Sequence, residues 1–275
     1  MGEGIEPVGR PAAGGDASGA IPRIDLLGVG ISAITMDTAV REIARWIADG
    51  ANGRKHYVCV TGVHGVMEAQ RDPELLRILG GSGMTTPDGM PLVWASHWAG
   101  ASYVERVYGP DLMLEVCGLA AERGWRSFFY GGGVGVPERL AERLRARFPG
   151  LVVSGTYSPP FRELNPEEDA GVVERINGAR ADIVWVGLST PKQERWMAAH
   201  TGRVLAPVLI GVGAAFDIHA GLLPQAPRWM QRSGTEWLYR LAREPRRLWR
   251  RYLYNNPRFV MAVARRPPRM MITPL

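Results

Sequence analysis

Cysteine is scarce: Cys59 and Cys117 are the two in 275 residues, and neither belongs to a Cys-x-x-Cys or a cluster of other metal ligands. That excludes a disulfide framework and a structural zinc site, and it suits a reducing cytoplasm. No apolar run approaches the ~20 residues that a spanning helix needs, so membrane contact is expected to be peripheral. The first 22 residues are rich in Gly, Ala and Pro and lack the basic-then-apolar order of a signal peptide. They read as a disordered leader.

Lysine is missing from the last fifth of the chain. From Ala220 to Leu275 there are twelve Arg and two acids, Glu236 and Glu244, a net of 12 − 2 = +10. The whole chain carries +6, so the first 219 residues carry 6 − 10 = −4. A mildly acidic body with a basic tail assigns any anionic partner to the tail. The length and apolar content suit one large α/β body, expected over 23–219, with an Arg/Trp-rich helical appendage over 220–275.

Along the body, short apolar runs alternate with helical spacing, the pattern of a mostly parallel, Rossmann-like sheet with helices on both faces. Leu26 to Ile31 reads as a first strand, followed by a helix through Met36, Ala39, Val40, Ile43 and Ile47. Tyr57 to Thr61 reads as a buried strand ending in Thr61-Gly62-Val63-His64-Gly65, and the helical stretch after it breaks near Pro73. The segment Thr85-Thr86-Pro87-Asp88-Gly89-Met90 presents a carboxylate between a proline and a glycine at a strand end. Position alone favours Asp88 as the N-cap of the helix near Met90. The company it keeps makes it the candidate general base.

Ser127 to Tyr130 runs into the glycine-rich turn Gly131-Gly132-Gly133-Val134-Gly135 and a helix from Pro137 to about Phe148. Such a turn lets backbone N–H groups approach a phosphate or sugar, or it is only a tight strand–helix crossing. The spacing is not G-x-G-x-x-G, and no acid follows the next strand to hold a ribose, so a nicotinamide-dependent oxidoreductase is disfavoured. Asp182 to Gly187 is a further strand, after which Ser189 or Thr190 can cap and Lys192 and Gln193 point from a helix start into the crevice at the sheet's C-terminal edge. Val208 to Val212 is the last strand, with Asp217 shortly beyond as a nucleoside ligand or a loop tie.

In the tail, helices are expected from Thr235 to about Arg243 and, after a break at Pro245, to about Tyr254. Arg240, Arg243, Arg247 and Arg250 share one stripe if Pro245 only bends the path. Arg with Trp and Tyr but no Lys fits poorly with an ordinary solvated face. No nucleic-acid reader or stacking platform is present. A basic interfacial segment on an anionic membrane surface, with guanidiniums forking onto a diphosphate, fits best. A homo-oligomer covering this tail in solution is a further expectation.

Taken in order, several stretches resemble the WecG/TagA/CpsF family of bacterial glycosyltransferases. They are Pro87-Asp88-Gly89-Met90-Pro91-Leu92-Val93-Trp94; Arg106-Val107-Tyr108-Gly109-Pro110-Asp111; the Gly131–Gly135 turn; Pro191-Lys192-Gln193-Glu194; Phe216-Asp217 with Ala220-Gly221; Gln225-Ala226-Pro227-Arg228-Trp229; and Glu236-Trp237-Leu238-Tyr239-Arg240 with Glu244-Pro245. The resemblance spans about Ile24 to Phe259. It implies transfer from a UDP-sugar to a polyprenyl-diphosphate-linked saccharide at the cytoplasmic face of the plasma membrane, by a peripheral enzyme docking through its appendage. It implies Asp88 as the base, Thr61, Arg106 and Gln193 at the donor, and Gly131, Gly132, Gly133, Gly187 and Asp217 at the nucleotide. Arg240, Arg247 and Arg250 would hold the lipid diphosphate. Better-known members read Thr-Pro-Asn-Pro where this chain has Thr61-Gly62-Val63-His64, so the Asn that contacts the sugar is missing. Either His64 replaces it, or the donor is of a glucose type rather than an N-acetylmannosamine type.

The chain has no Asp-x-Asp, the usual metal-holding pair of such enzymes. Arg side chains and helix N-termini would then stabilise the leaving diphosphate, with no metal or other cofactor. One base and one direct displacement imply inversion. A membrane-docked scaffold that binds nucleotide without turnover is the non-enzymatic alternative.

Overall fold

The computed structural model describes residues 21–50 and 53–271. The leader therefore lies outside the described residues, except that Ile21 packs on the core and Pro22 accepts a backbone bond from Ala33 at 2.8 Å.

The elements in chain order begin with β1 (Arg23–Leu26), β2 (Val29–Ser32), α1 (Met36–Asp49), β3 (His56–Thr61), α2 (Val63–Ala69), α3 (Pro73–Gly81), β4 (Met84–Pro87) and α4 (Met90–Trp98). The middle comprises α5 (Gly109–Arg123), β5 (Arg126–Gly131), α6 (Val136–Arg147), β6 (Val152–Tyr157), α7 (Pro166–Gly178), β7 (Ile183–Gly187), α8 (Lys192–His200), β8 (Val208–Gly211) and α9 (Ala215–His219). The remainder is α10 (Arg228–Arg232), α11 (Glu236–Arg243), α12 (Pro245–Arg265) and β9 (Arg269–Met270).

Six strands form a parallel sheet in the order β4-β3-β8-β7-β5-β6. Its central strands are nearly continuous apolar runs because helices cover both faces. Val58, Phe129, Trp185 and Ile210 point into one apolar cluster, and Cys59, Phe128, Val184 and Leu209 into another. All strands end at one edge, so the loops after β3, β4, β5, β7 and β8 converge there.

The stretch Leu26 to Ile31 is not a strand of that sheet. Leu26 ends β1, Leu27 and Gly28 make the hairpin turn at φ 58° and 88°, and Val29 to Ile31 belong to β2; β9 adds antiparallel to β1 to make a separate three-stranded sheet. Local composition reads the same apolar residues either way; only a turn with two positive φ values decides.

The second tail helix does not stop near Tyr254. It runs through Pro257 to Arg265, because Leu248, Asn255, Phe259 and Val263 recur on one face and are buried. Tertiary burial of that face outweighs the one helical hydrogen bond that Pro257 deletes. Phe259 and Val263 join the cluster of Leu26, Val66 and Met67, so the appendage is part of the core. Among the described residues no helix is long and apolar enough to cross a membrane.

Candidate active site

A cavity of about 580 Å³ lies between the C-terminal edge of the sheet and the appendage. From the body it is lined by Gly62, His64, Asp88, Trp94, Trp98, Arg106 and Thr190, and from the appendage by Glu236, Trp237, Arg240, Tyr252, Asn256, Phe259 and Val260. The loop positions therefore become a site only when α10 to α12 close over them.

Asp88 does not cap α4, whose N-cap is Gly89 without a side-chain bond. Its Oδ1 instead accepts from Gly109 N at 3.0 Å, at the start of α5. Pro87, the last residue of β4, and the bond from Asp88 N to Thr61 O at 3.0 Å fix the loop that carries it. The Asp88 carboxyl is pushed above the ordinary aspartate value, chiefly by burial, with Glu236 adding to the rise. The Arg106 charge, the Gly109 N–H and the Arg240 charge pull it back without cancelling the rise. A carboxylate so raised is a better proton acceptor than an exposed one.

Arg106 is tied down. Its Nε donates to Asp88 O, its Nη2 meets Glu236 Oε2 at 2.5 Å, and its guanidinium lies 3.9 Å from the centroid of the Tyr108 ring. Tyr108 donates its hydroxyl to Glu236 Oε1 at 2.8 Å. Burial lowers the Arg106 pKa, but Asp88 and Glu236 outweigh it and hold the guanidinium charged. Glu236 joins the appendage to the Asp88 loop; its motif is visible in the sequence, but its partners lie about 130 residues away and carry no local signal.

Arg240 lines the same cavity, and among the described residues its guanidinium makes no hydrogen bond or salt bridge, the charges of Glu236 and Asp88 acting on it only through space. Arg243 is exposed with its guanidinium over Tyr239, and Arg250 is exposed beside Trp249. The expected single stripe is thus divided, because the turn at Glu244 and Pro245 reorients α12 relative to α11. The Arg247 side chain lies outside the described residues.

Gln193 is buried and Lys192 is exposed, so of the two only Gln193 turns inward. Thr190 donates its hydroxyl to Glu194 Oε1 at 2.9 Å and does not cap α8; Pro191 occupies the cap position, and Ser189 contributes only its carbonyl, to Gln193 N at 3.2 Å. Gln193 Nε2 also donates to Glu194 Oε1, at 3.2 Å, while Gln193 Oε1 is buried without a hydrogen-bond partner among the described residues.

Thr61, Gly131, Gly132, Gly133, Gly187, Gln193 and Asp217 do not line the cavity: Thr61, Gly131 and Gly187 end strands, Gly132 and Gly133 follow β5, and Gln193 and Asp217 lie in α8 and α9. Thr61 is buried, with its hydroxyl on Cys59 O at 3.3 Å. Two of the glycines have a packing reason. A Cβ on Gly131 would stand 2.7 Å from the Gly187 carbonyl, and one on Gly187 would stand 2.5 Å from the Phe216 ring. Asp217 lies in α9, where its carbonyl accepts from Leu222 and Leu223 at 2.8 and 3.1 Å.

Among the described residues no group of three or more His, Cys, Asp or Glu is arranged to hold a metal ion. What the arrangement does offer is a raised carboxylate, two guanidiniums and an apolar lip in one enclosed space.

Comparison with known proteins gives sequence relatives over most of the chain. The N-acetylglucosaminyldiphosphoundecaprenol N-acetyl-beta-D-mannosaminyltransferase of Bacillus spizizenii is 33% identical over 198 residues, 71% of this chain and 74% of its own. The enzyme of that name in Bacillus subtilis is 32% identical over 197 residues, 71% and 73%. The one in Staphylococcus aureus strain MW2 is 27% identical over 243 residues, 88% and 92%. The model of the glycosyl transferase WecG/TagA/CpsF family matches residues 24–271, and the chain belongs to that family of glycosyltransferases.

Proposed function

We propose that the chain is an inverting, metal-independent glycosyltransferase of cell-envelope glycan or exopolysaccharide synthesis. It moves an N-acetylmannosamine-type or glucose-type sugar from a UDP-sugar to a polyprenyl-diphosphate-linked saccharide. The observation that carries this reading is the cavity in which Asp88, Arg106 and Arg240 meet beneath an apolar mouth.

The acceptor hydroxyl attacks the anomeric carbon as Asp88 takes its proton, and the bond to the UDP oxygen breaks on the opposite face. Oδ1 is held by Gly109 N, so the proton goes to Oδ2, which borders Gly62. Among the described residues the Arg240 guanidinium makes no hydrogen bond or salt bridge, although Asp88 and Glu236 hold it charged, and it suits a diphosphate. Arg106 is already neutralised by Glu236 and acts mainly by shaping the base loop. Gln193 and the Gly131–Gly133 turn hold the donor, with Asp217 at the nucleoside. Metal independence rests on the missing Asp-x-Asp.

Trp94, Trp98 and Val260 line the cavity yet are 51%, 59% and 66% exposed, so its mouth opens through an apolar rim. Together with the exposed Arg250 of α12, that rim suits the interface of an anionic cytoplasmic membrane surface, on which the enzyme sits peripherally while the polyprenyl chain stays in lipid. The test is transfer from UDP-N-acetylmannosamine, UDP-N-acetylglucosamine and UDP-glucose to a short-chain polyprenyl-diphosphate N-acetylglucosamine, with and without chelator. One donor should give product of inverted configuration at a rate indifferent to chelation. No transfer from any UDP-sugar would refute the reading.

A further inference from the structure

His64 is placed by the appendage. It lies in the first turn of α2 and lines the cavity, and its Nδ1 stands 3.2 Å from Asn255 Nδ2 of α12. Two nitrogens at that distance need one donor and one acceptor. An amide nitrogen only donates, so His64 Nδ1 accepts and the ring proton sits on Nε2. Asn255 is 3% exposed, and among the described residues its Oδ1 has no hydrogen-bond partner. The reverse amide orientation would bury an unpartnered NH2 group in place of a carbonyl oxygen, and buried orphan donors are the rarer of the two. Glu68 Oε1, 3.7 Å from Nδ1, is the acidic group facing the same nitrogen.

We infer that Asn255 is a positioning residue: it holds His64 as the neutral Nε2–H tautomer, and that N–H donates to an oxygen of the donor sugar. The inference rests on reading the cavity as the sugar-nucleotide site. It assigns a body residue and an appendage residue to one recognition device, so donor recognition depends on how α12 is seated on α2. A neutral imidazole is required. Protonating Nδ1 would set two donors face to face and turn the ring toward Glu68.

Two isosteric replacements separate the ring nitrogens, since an Asn amide stands where Nδ1 stood and a Gln amide reaches the position of Nε2. His64→Gln should keep most of the donor kcat/KM. His64→Asn should lose roughly tenfold, about the worth of one hydrogen bond in an enclosed site, chiefly through donor KM. Asn255→Ala should lose a similar factor while His64 itself is intact. Equal activities of the Gln and Asn variants, or the reverse order, would overturn the inference. The tautomer is read independently of turnover from the histidine ¹⁵N spectrum of the full chain. At pH 7.5 His64 should show a protonated Nε2 and a bare Nδ1, and Asn255→Ala should mix the tautomers; a protonated Nδ1 in the unaltered protein would overturn the inference whatever the variants do. If the unaltered protein transfers no sugar from any UDP donor, the functional reading fails and takes the sugar contact with it, while the spectrum still decides the His64–Asn255 arrangement.

Discussion

Glu236, the first residue of α11, joins Arg106 of the body at 2.5 Å, with both side chains less than one-sixth exposed. The same carboxylate takes the Tyr108 hydroxyl, and Arg106 holds the backbone of Asp88. The appendage is thereby fastened to the loop that carries Asp88. Glu236→Gln should leave a buried guanidinium uncompensated, a loss of about 3–5 kcal/mol where desolvation is complete and less in this partly solvated pair. The expected outcome is a lower Tm together with a fall in kcat; unchanged values of both would show that the pair does not fasten the loop.

The acid limb of the rate profile should report Asp88. Its carboxyl is raised by burial, so kcat/KM should fall, as pH drops, at a higher pH than an ordinary aspartate would give. The Arg240 charge lowers that pKa, so Arg240→Gln should move the limb further up in pH. A downward move would contradict the assigned electrostatics. For stability the sign is opposite to the usual carboxylate case. The raised folded pKa means the protonated form is favoured on folding, a contribution present below the ordinary aspartate pKa and lost as pH rises through the folded one.

The glycine-rich turn divides into packing and binding positions. Gly131 has φ 120° and no room for a Cβ, so Gly131→Ala should cost about 1–3 kcal/mol of stability, as overpacking does. Gly133 has only a Val136 methyl group 3.6 Å from the position of a Cβ, so Gly133→Ala should keep the Tm. If Gly133→Ala also keeps UDP affinity in calorimetry, the turn is packing alone.

The strands β3, β5, β7 and β8 were legible because parallel strands covered on both faces must be apolar throughout, and the site loops follow from where those strands end. The place of Asp88 on a loop at a strand end was legible from its motif, and the structure puts it in the cavity. Its bond to Gly109, the Arg106–Glu236 pair and the His64–Asn255 contact were not, because each joins residues from 21 to 191 positions apart and depends on docking rather than local preference. The hairpin at Leu27 and the passage of α12 through Pro257 escaped for the same reason: turn geometry in one case, and burial of a distant face in the other.

Cutting the chain at His219 should remove more than a docking surface. Leu248, Phe259 and Val263 are buried, and β9 pairs with β1. At about 1.5–3 kcal/mol for each large apolar side chain, the truncated body should melt well below the full chain. A truncated body with an unchanged Tm would make the appendage a separate unit after all.

The most direct measurement of the central claim is the effect of Asp88→Asn on transfer and on UDP-sugar binding, taken side by side. The substitution keeps the side-chain oxygen that accepts from Gly109 and removes the base. The account predicts that kcat falls by ~10²–10⁴, the usual worth of general-base catalysis, while the Kd for the UDP-sugar stays nearly unchanged. A kcat equal to that of the unaltered enzyme would contradict it and leave Asp88 as a residue that only anchors α5.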